Sequence, residues 1–258
     1  MPKTVDITTD ARGVARLTLM RPEKHNAMSP EMIDDLTEAA HSLRTDPDVR
    51  LIVLAGEGKS FCAGGDLDWM RSQFAASRAE RMSEARRLAM MFKALNDIPK
   101  PLIASVHGNA FGGGIGLVSV CDSAVASPQA RFGLTEVRLG IIPATISPYV
   151  IARIGAPAAR RFFMSGALFD APTALRIGLV SVVGGDDLDA ALDAEIEEFL
   201  AASPQAAAHA KSLVASLSTE ITAEVIEEVV RKLADSWETE EAQTRIAAFF
   251  AKRASGSV

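Results

Sequence analysis

Cysteine is scarce in this chain: two of 258 residues, Cys62 and Cys121. They lie far apart and neither belongs to a CxxC pair. That argues against a disulfide framework or a structural zinc site, and for a reducing compartment. Long apolar runs are missing as well. No window of about 18 residues is apolar and free of charge, so no membrane span is expected. The opening MPKTVDITTD lacks the charged-then-apolar layout of a secretory signal, and the expected location is cytoplasmic. Positive charge is in deficit, with 27 Lys and Arg against 33 Asp and Glu and a net charge of −6. That balance argues against a nucleic-acid coat and leaves room for a local basic patch facing a phosphorylated small molecule.

Familiar catalytic signatures are absent too. Gly58, Lys59 and Ser60 end like a phosphate-binding loop, but the position that needs a glycine holds Val53. The glycines at 112–116 do not space as GxGxxG, and no GxSxG elbow occurs. The four histidines, at 25, 41, 107 and 209, show neither HExxH spacing nor pairing with cysteine, so no metal site is expected. His41 and His209 read as ordinary surface or packing residues.

What is present is the composition of a globular protein, 48% hydrophobic and 23% charged. A chain of this size buries roughly 70–75% of its unfolded surface and needs no staples. Residues 5–8 and 14–19 alternate around a turn at 10–13, which predicts a β-hairpin. Ser29, Pro30 and Glu31 read as cap, first helical residue and acidic first turn of a helix whose apolar stripe is Met32, Ile33, Leu36, Ala40 and Leu43. Residues 51–55 and 102–106 are continuous apolar runs, as expected of strands covered on both faces. Between them, 56–67 reads as a glycine-dense loop and 77–96 as an amphipathic helix closed by Pro99 and Pro101. After Pro143 the pattern is almost wholly helical, with segments near 146–154, 156–164, 188–201, 204–216, 221–236 and 239–252. The plan is an α/β core over residues 1–190 followed by a helical region over 191–258, with no internal repeat.

Two glycine-rich segments, each following a buried run, carry the chemistry. One is SFCAGGDL at 60–67, the other HGNAFGGGIG at 107–116, leading into an apolar helix. Glycines entering a helix let a ligand approach the backbone with no Cβ in the way and meet unpaired N–H groups. Two such segments side by side could aim two donors at one oxygen, an oxyanion hole; alternatively the glycines only permit close helix–strand packing. The segment FGLTEVRLG at 132–140 sets Glu136 in mostly apolar surroundings. A carboxyl there tends to a raised pKa suited to acid/base work. The alternative is an ion pair with Arg131 or Arg138 on a surface turn.

With RPEKHNAM at 21–28, the segment around Ala63, residues 103–122, 132–143 and the closing FFAKR at 249–253, nearly the whole chain resembles the crotonase (enoyl-CoA hydratase/isomerase) superfamily. That resemblance implies a crotonase-type α/β spiral of ββα turns with a C-terminal helical trimerisation region, assembled as a homotrimer or as a hexamer of paired trimers. It implies an acyl-CoA thioester as substrate, no partner of nucleic acid or membrane, and no cofactor beyond the CoA of the substrate. By position, the peptide N–H groups of Ala63 and Gly113 would hold the thioester oxygen, and Glu136 would exchange the proton. Lys24, Ala27, Gly64, Gly65, Asp66 and Leu67 would line the CoA and substrate site, joined by Gly116 and Ala144. Phe249 and Lys252 would be lent to a neighbouring subunit's CoA nucleotide.

The pattern departs from the best-known hydratases at one position: where they carry a second glutamate just past the glycine triplet, this chain has Gly116. One carboxylate suits an enoyl-CoA isomerase that shuttles a proton between carbons, or a hydratase in which Glu136 both activates water and returns the proton. The stretch TEVRLGIIPATISPY at 135–149 looks like the branch of methylglutaconyl-CoA and isohexenylglutaconyl-CoA hydratases of leucine and acyclic terpene breakdown. Those substrates carry their own carboxylate, which, with Thr145 or Ser147, would help replace the absent glutamate. Asp66 reads as a cap for the following helix and Cys62 as a packing residue. The expected activity is therefore enoyl-CoA hydration, with isomerisation as the rival. A non-catalytic homologue that binds acyl-CoA or RNA is disfavoured by the retained Glu136 and the acidic balance.

Overall fold

The computed structural model describes residues 4–185 and 187–254; residues 255–258 of the expected helical region lie outside the described residues. The chain opens with the expected hairpin, β1 (Val5–Thr9) and β2 (Val14–Leu19), paired antiparallel. Helix α1 (Pro30–Thr45) begins where its sequence announces it: the Ser29 side chain accepts from the Met32 N–H, with Pro30 as first residue.

From there the chain lays down alternating strands in two sheets. The larger sheet gains β3 (Leu51–Gly56), β5 (Leu102–Val106), β7 (Ser123–Ala126) and β10 (Val182–Val183) in that order, each parallel to its neighbour. The smaller sheet gains β4 (Ser60–Cys62), β6 (Asn109–Phe111) and β8 (Arg131–Gly133), also parallel, with β9 (Leu168–Asp170) antiparallel at its edge. Helices return the chain between turns: α2 (Leu67–Ala75) and α3 (Arg78–Asn96) after β4, α4 (Gly113–Ser119) after β6, and α5 (Ser147–Ser165) after β8. The result is a spiral of ββα turns, the fold class expected from the resemblance.

The continuous apolar runs are explained by two covered faces. Ile52, Leu54 and Ala104 point into the main core, whereas Leu51, Val53 and Ile103 pack with Leu192 and Ile196 of α7 (Leu188–Leu200). The expected boundary at residue 190 falls within α7.

Two expectations need correction. The stretch 56–67 is not only loop, because it contains β4, and the part after Pro143 is not helical throughout, because the strands β9 and β10, with α6 (Ala171–Arg176) between them, interrupt it. Strands of two or three residues carry no periodicity, and only their pairing partners make them strands. The last helices are α8 (Pro204–Leu217), α9 (Ala223–Trp237) and α10 (Glu240–Ala254). They double back: Ile226 and Val230 of α9 pack on Ala85 and Ala89 of α3, while Trp237, Ala242 and Ile246 pack on Ile141. This return roofs the site described next.

Candidate active site

A cavity of about 130 Å³ lies between the glycine segments and the returning helices, lined by Met28, Gly65, Gly113, Glu136 and Thr145 on the core side. Trp69, Met70, Gln73, Arg81, Ala85 and Leu88 of α2 and α3, Ile141 to Pro143 and Ile146, and Leu233, Ala234 and Trp237 of α9 complete it. Its walls are mostly apolar, and Glu136 is the one acidic residue among them.

Glu136 opens a 3-10 turn, Glu136–Leu139, directly after β8. Phe132 in β8 stacks on Phe169 at 5.5 Å and anchors the strand that presents it. Gly140 ends the turn at φ 79° and packs against Ala242 of α10, where a Cβ would lie 2.7 Å from the Ala242 Cα. The Glu136 side chain is half-buried, but its Oε2 is sealed from solvent and has no hydrogen-bond partner. Oε1 lies against Gly112, close enough that a Cβ there would stand 2.9 Å away. Burial pushes the Glu136 pKa up from 4.5 to about 7. The alternative ion pair does not form: Arg131 donates to the Gln129 and Ala130 carbonyls, and Arg138 packs beside Gly166.

The glycine triplet does both things the sequence left open. Gly112, at φ 50°, adopts a backbone open to glycine alone and donates to the Gly133 carbonyl at 2.9 Å, extending β6 along β8. Gly114 has room for no side chain, since a Cβ would run into the Cys62 carbonyl. Gly113 begins α4, lines the cavity, and its N–H has no acceptor among the described residues. The Met28 thioether lies over its Cα, so a side chain at 113 would collide with it.

The second expected donor differs. The Ala63 N–H already donates to the His25 carbonyl at 3.0 Å, and Ala63 sits on the surface. Two residues on, Gly65 lines the cavity. Its neighbours bond the Met28 backbone, Met28 N–H to the Gly64 carbonyl at 2.7 Å and Asp66 N–H to the Met28 carbonyl at 2.9 Å. In extended backbone the intervening N–H then faces the other way, and that of Gly65 has no acceptor among the described residues. The pair that meets Glu136 in one cavity is Gly65 and Gly113.

Other expected site residues are placed around the rim or inside the fold. Asp66 is buried and caps α2, accepting from the Asp68 and Trp69 N–H groups, and it pairs with Arg21 at 2.8 Å. Burial opposes its charge, yet the Arg21 bond and the two backbone donors hold its carboxyl below the usual range. Arg21 also donates to the Ala27 carbonyl at 2.5 Å, and Lys24 pairs with Asp68 at 3.2 Å on the surface. Leu67 starts α2, half-buried, and Gly64, at φ 93°, passes close to the Phe111 carbonyl. Gly116 does not line the cavity: it is buried, and a Cβ there would run into Ile146 and the Phe92 ring. Ala144 is buried behind the lining, its carbonyl accepting from the Ser147 hydroxyl at 2.7 Å. Phe249 stacks edge-on with Phe250 at 5.5 Å on α10, and Phe250 in turn faces Arg71 of α2. Lys252 is exposed on the same helix. Both thiols are buried, which pushes Cys62 and Cys121 up to about 12.

Several residues escaped the sequence reading. Asn26 is fully buried at φ 54°; its amide donates to the Glu57 and Ser60 carbonyls while its oxygen accepts from Arg21 N–H, which shapes the 21–28 loop. Trp69, Arg81 and Trp237 join the cavity from three different helices, and no motif in the sequence marks them. No group of three or more metal-ligating side chains occurs among the described residues, and none of their helices is long and apolar enough to cross a membrane.

Residues 9–256 match the model of the enoyl-CoA hydratase/isomerase family. A Thermus thermophilus protein named with the enoyl-CoA hydratases is 35% identical over 244 residues, 93% of this chain and 95% of its own length. The (E)-benzylidenesuccinyl-CoA hydratase of Thauera aromatica is 37% identical over 185 residues, 71% of this chain and 70% of its own. The crystal structure of an enoyl-CoA hydratase from Mycobacterium avium superposes with a TM-score of 0.83 at 35% identity, over 98% of both chains. With the spiral fold and a glycine-framed cavity already in place, a match of this extent makes the chain a member of the enoyl-CoA hydratase/isomerase, or crotonase, family.

Proposed function

We propose that this chain adds water to short 2-enoyl-CoA thioesters, with Glu136 as its single acid/base and the Gly65 and Gly113 N–H groups as the oxyanion hole. The observation that carries the reading is the Glu136 carboxyl: one oxygen sealed and unpartnered, with a pKa of about 7, in the same cavity as two unengaged peptide donors. The carboxylate takes a proton from water, and the water oxygen bonds to C3. The C2–C3 π pair moves toward C2 and the thioester oxygen, and protonated Glu136 returns its proton to C2. Charge on the thioester oxygen is transient, and each donor aimed at it is worth on the order of 2.7–4 kcal/mol. The cavity is comparable with the roughly 150 Å³ space that holds benzene in a protein core, which supports a short acyl group.

The finer substrate class we propose is a branched or glutaconyl-type thioester similar to methylglutaconyl-CoA. The Thauera relative supports it, because benzylidenesuccinyl-CoA keeps a second carboxyl on its acyl group. Lys24, Ala27, Gly64 and Leu67 would flank the CoA, and water is the only co-reactant. Assembly as a homotrimer or a pair of trimers would let Phe249 and Lys252 reach a neighbour's CoA; light scattering should then give three or six chain masses.

One observation favours a second reading. No other carboxyl lines the cavity, and one carboxyl is enough to move a proton between C4 and C2, as an isomerase does. Loss of enoyl-thioester absorbance, followed with crotonyl-CoA, 3-methylglutaconyl-CoA and a 3-enoyl-CoA in parallel, separates the two. Fast loss on a 2-enoyl substrate establishes hydration. Silence on both 2-enoyl thioesters, with absorbance appearing from the 3-enoyl-CoA, establishes isomerisation instead.

A further inference from the structure

The cavity holds one cation whose charge the fold leaves poorly matched. Arg81, on the first turn of α3, lines it with a side chain only 12% exposed. Its Nε donates to the Gln73 carbonyl at 2.8 Å and one terminal nitrogen reaches the Phe74 carbonyl at 3.4 Å. The nearest carboxylate, Glu238, stands 4.0 Å from the other terminal nitrogen and is itself engaged by Arg78 at 2.8 Å. The Trp237 ring lies 6.0 Å from the guanidinium carbon. A cation this far withdrawn from water ordinarily has a close counter-charge. A neutral acyl tail would bury it further with nothing in return, whereas a carboxylate would pair with it through charge-assisted bonds. The cavity lining thus holds both an acid/base, Glu136, and a guanidinium, Arg81.

We propose that Arg81 receives the free carboxylate of a dicarboxylic acyl-CoA and so determines substrate class. The proposal rests on the reading that this cavity takes the acyl group of a CoA thioester, and it is independent of whether the enzyme hydrates or isomerises.

The test is binding of two unreactive thioesters of equal carbon count, glutaryl-CoA and pentanoyl-CoA, measured by calorimetry on the wild type, Arg81→Met and Arg81→Lys. The wild type should prefer glutaryl-CoA roughly 10–100-fold, the usual size of a charge-assisted pair. That preference would run against the general repulsion of an extra negative charge by a chain of net charge −6. Arg81→Met should erase or reverse the preference, and Arg81→Lys should keep part of it. Equal affinity for the two ligands in the wild type, or a preference that survives in Arg81→Met, overturns the proposal. If Arg81→Met fails to fold, the wild-type preference and its reduction in Arg81→Lys decide. Because no turnover is needed, a protein that hydrates nothing yet shows this Arg81-dependent preference would sink the hydratase reading alone. Rapid hydration of crotonyl-CoA without any preference for the diacid would sink the Arg81 proposal alone.

Discussion

A carboxyl with one oxygen shut away from water and no donor beside it is an unstable place for a negative charge, and Glu136 holds that position. Its ordinary value of 4.5 is raised to about 7, so between those values the folded chain binds a proton that the unfolded chain has released. Stability contributed by the neutral form is therefore present below about pH 4.5 and is lost as pH rises through about 7, by up to about 3 kcal/mol. Glu136→Gln removes the ionisation. It should be more stable than the wild type at pH 8 by up to that amount and indistinguishable near pH 4, as urea titrations at the two pH values will show. A variant less stable at pH 8 would mean that the carboxylate is held by bonds rather than merely buried. The same scale shows how far residue types speak for themselves. Asp66 after two glycines reads as a cap for the following helix and is one. The hole donor does not read so directly, because Ala63 and Gly65 are both small residues in one segment. The His25 carbonyl, which occupies the Ala63 N–H, and the cavity lining, which includes Gly65 and not Ala63, tell them apart.

Elements were legible where local chemistry decides them. Ser29 caps α1 as expected, and α3 starts where its pattern does, with Ser77 and Glu80 forming a reciprocal capping box. The break inside α5 falls at Gly155, between the two segments the pattern separated. The short strands β4, β6, β8 and β9 were not legible, since three residues hold too little pattern and their identity comes from pairing across the chain. The spiral repeats in space although the sequence does not repeat, because each turn needs only a buried strand, a short second strand and a helix. Packing also bears on the departure at Gly116. The space a glutamate would need there is filled by Ile146 and Phe92, so this site differs from a two-carboxylate site by its core as well as by one residue. Gly116→Glu should lower stability by at least about 1–3 kcal/mol through overpacking, with a buried charge in addition. Gly65→Ala, whose Cβ would sit 3.7 Å from Met70, should unfold close to the wild type. Thermal unfolding of the two side by side checks this, and a stable Gly116→Glu would mean that Ile146 and Phe92 yield easily.

At the scale of the molecule, the site is closed by helices remote from it in sequence. Leu233, Ala234 and Trp237 of α9 line the same cavity as Glu136, although about a hundred positions separate them. No spacing within a single stretch announces such a meeting, so the roof stayed invisible while the glycine floor did not. The chain's only two tryptophans, Trp69 and Trp237, both line the cavity, which makes the whole intrinsic tryptophan signal a reporter of its occupancy. Titration with butyryl-CoA should shift or quench that emission in a saturable way, and free CoA, which lacks the acyl group, should do so far less. Equal effects of the two ligands would place the acyl chain elsewhere.

The central claim is that one buried carboxyl performs both proton transfers of hydration, and its most direct test is the pH dependence of kcat/KM for a 2-enoyl-CoA. Water is activated by the ionised form, so kcat/KM should rise as pH rises through about 7 and then level. Glu136→Gln should lower turnover by several orders of magnitude while acyl-CoA binding stays within a few-fold. A profile flat from pH 5 to 9, or a Glu136→Gln enzyme within tenfold of the wild type, would contradict it.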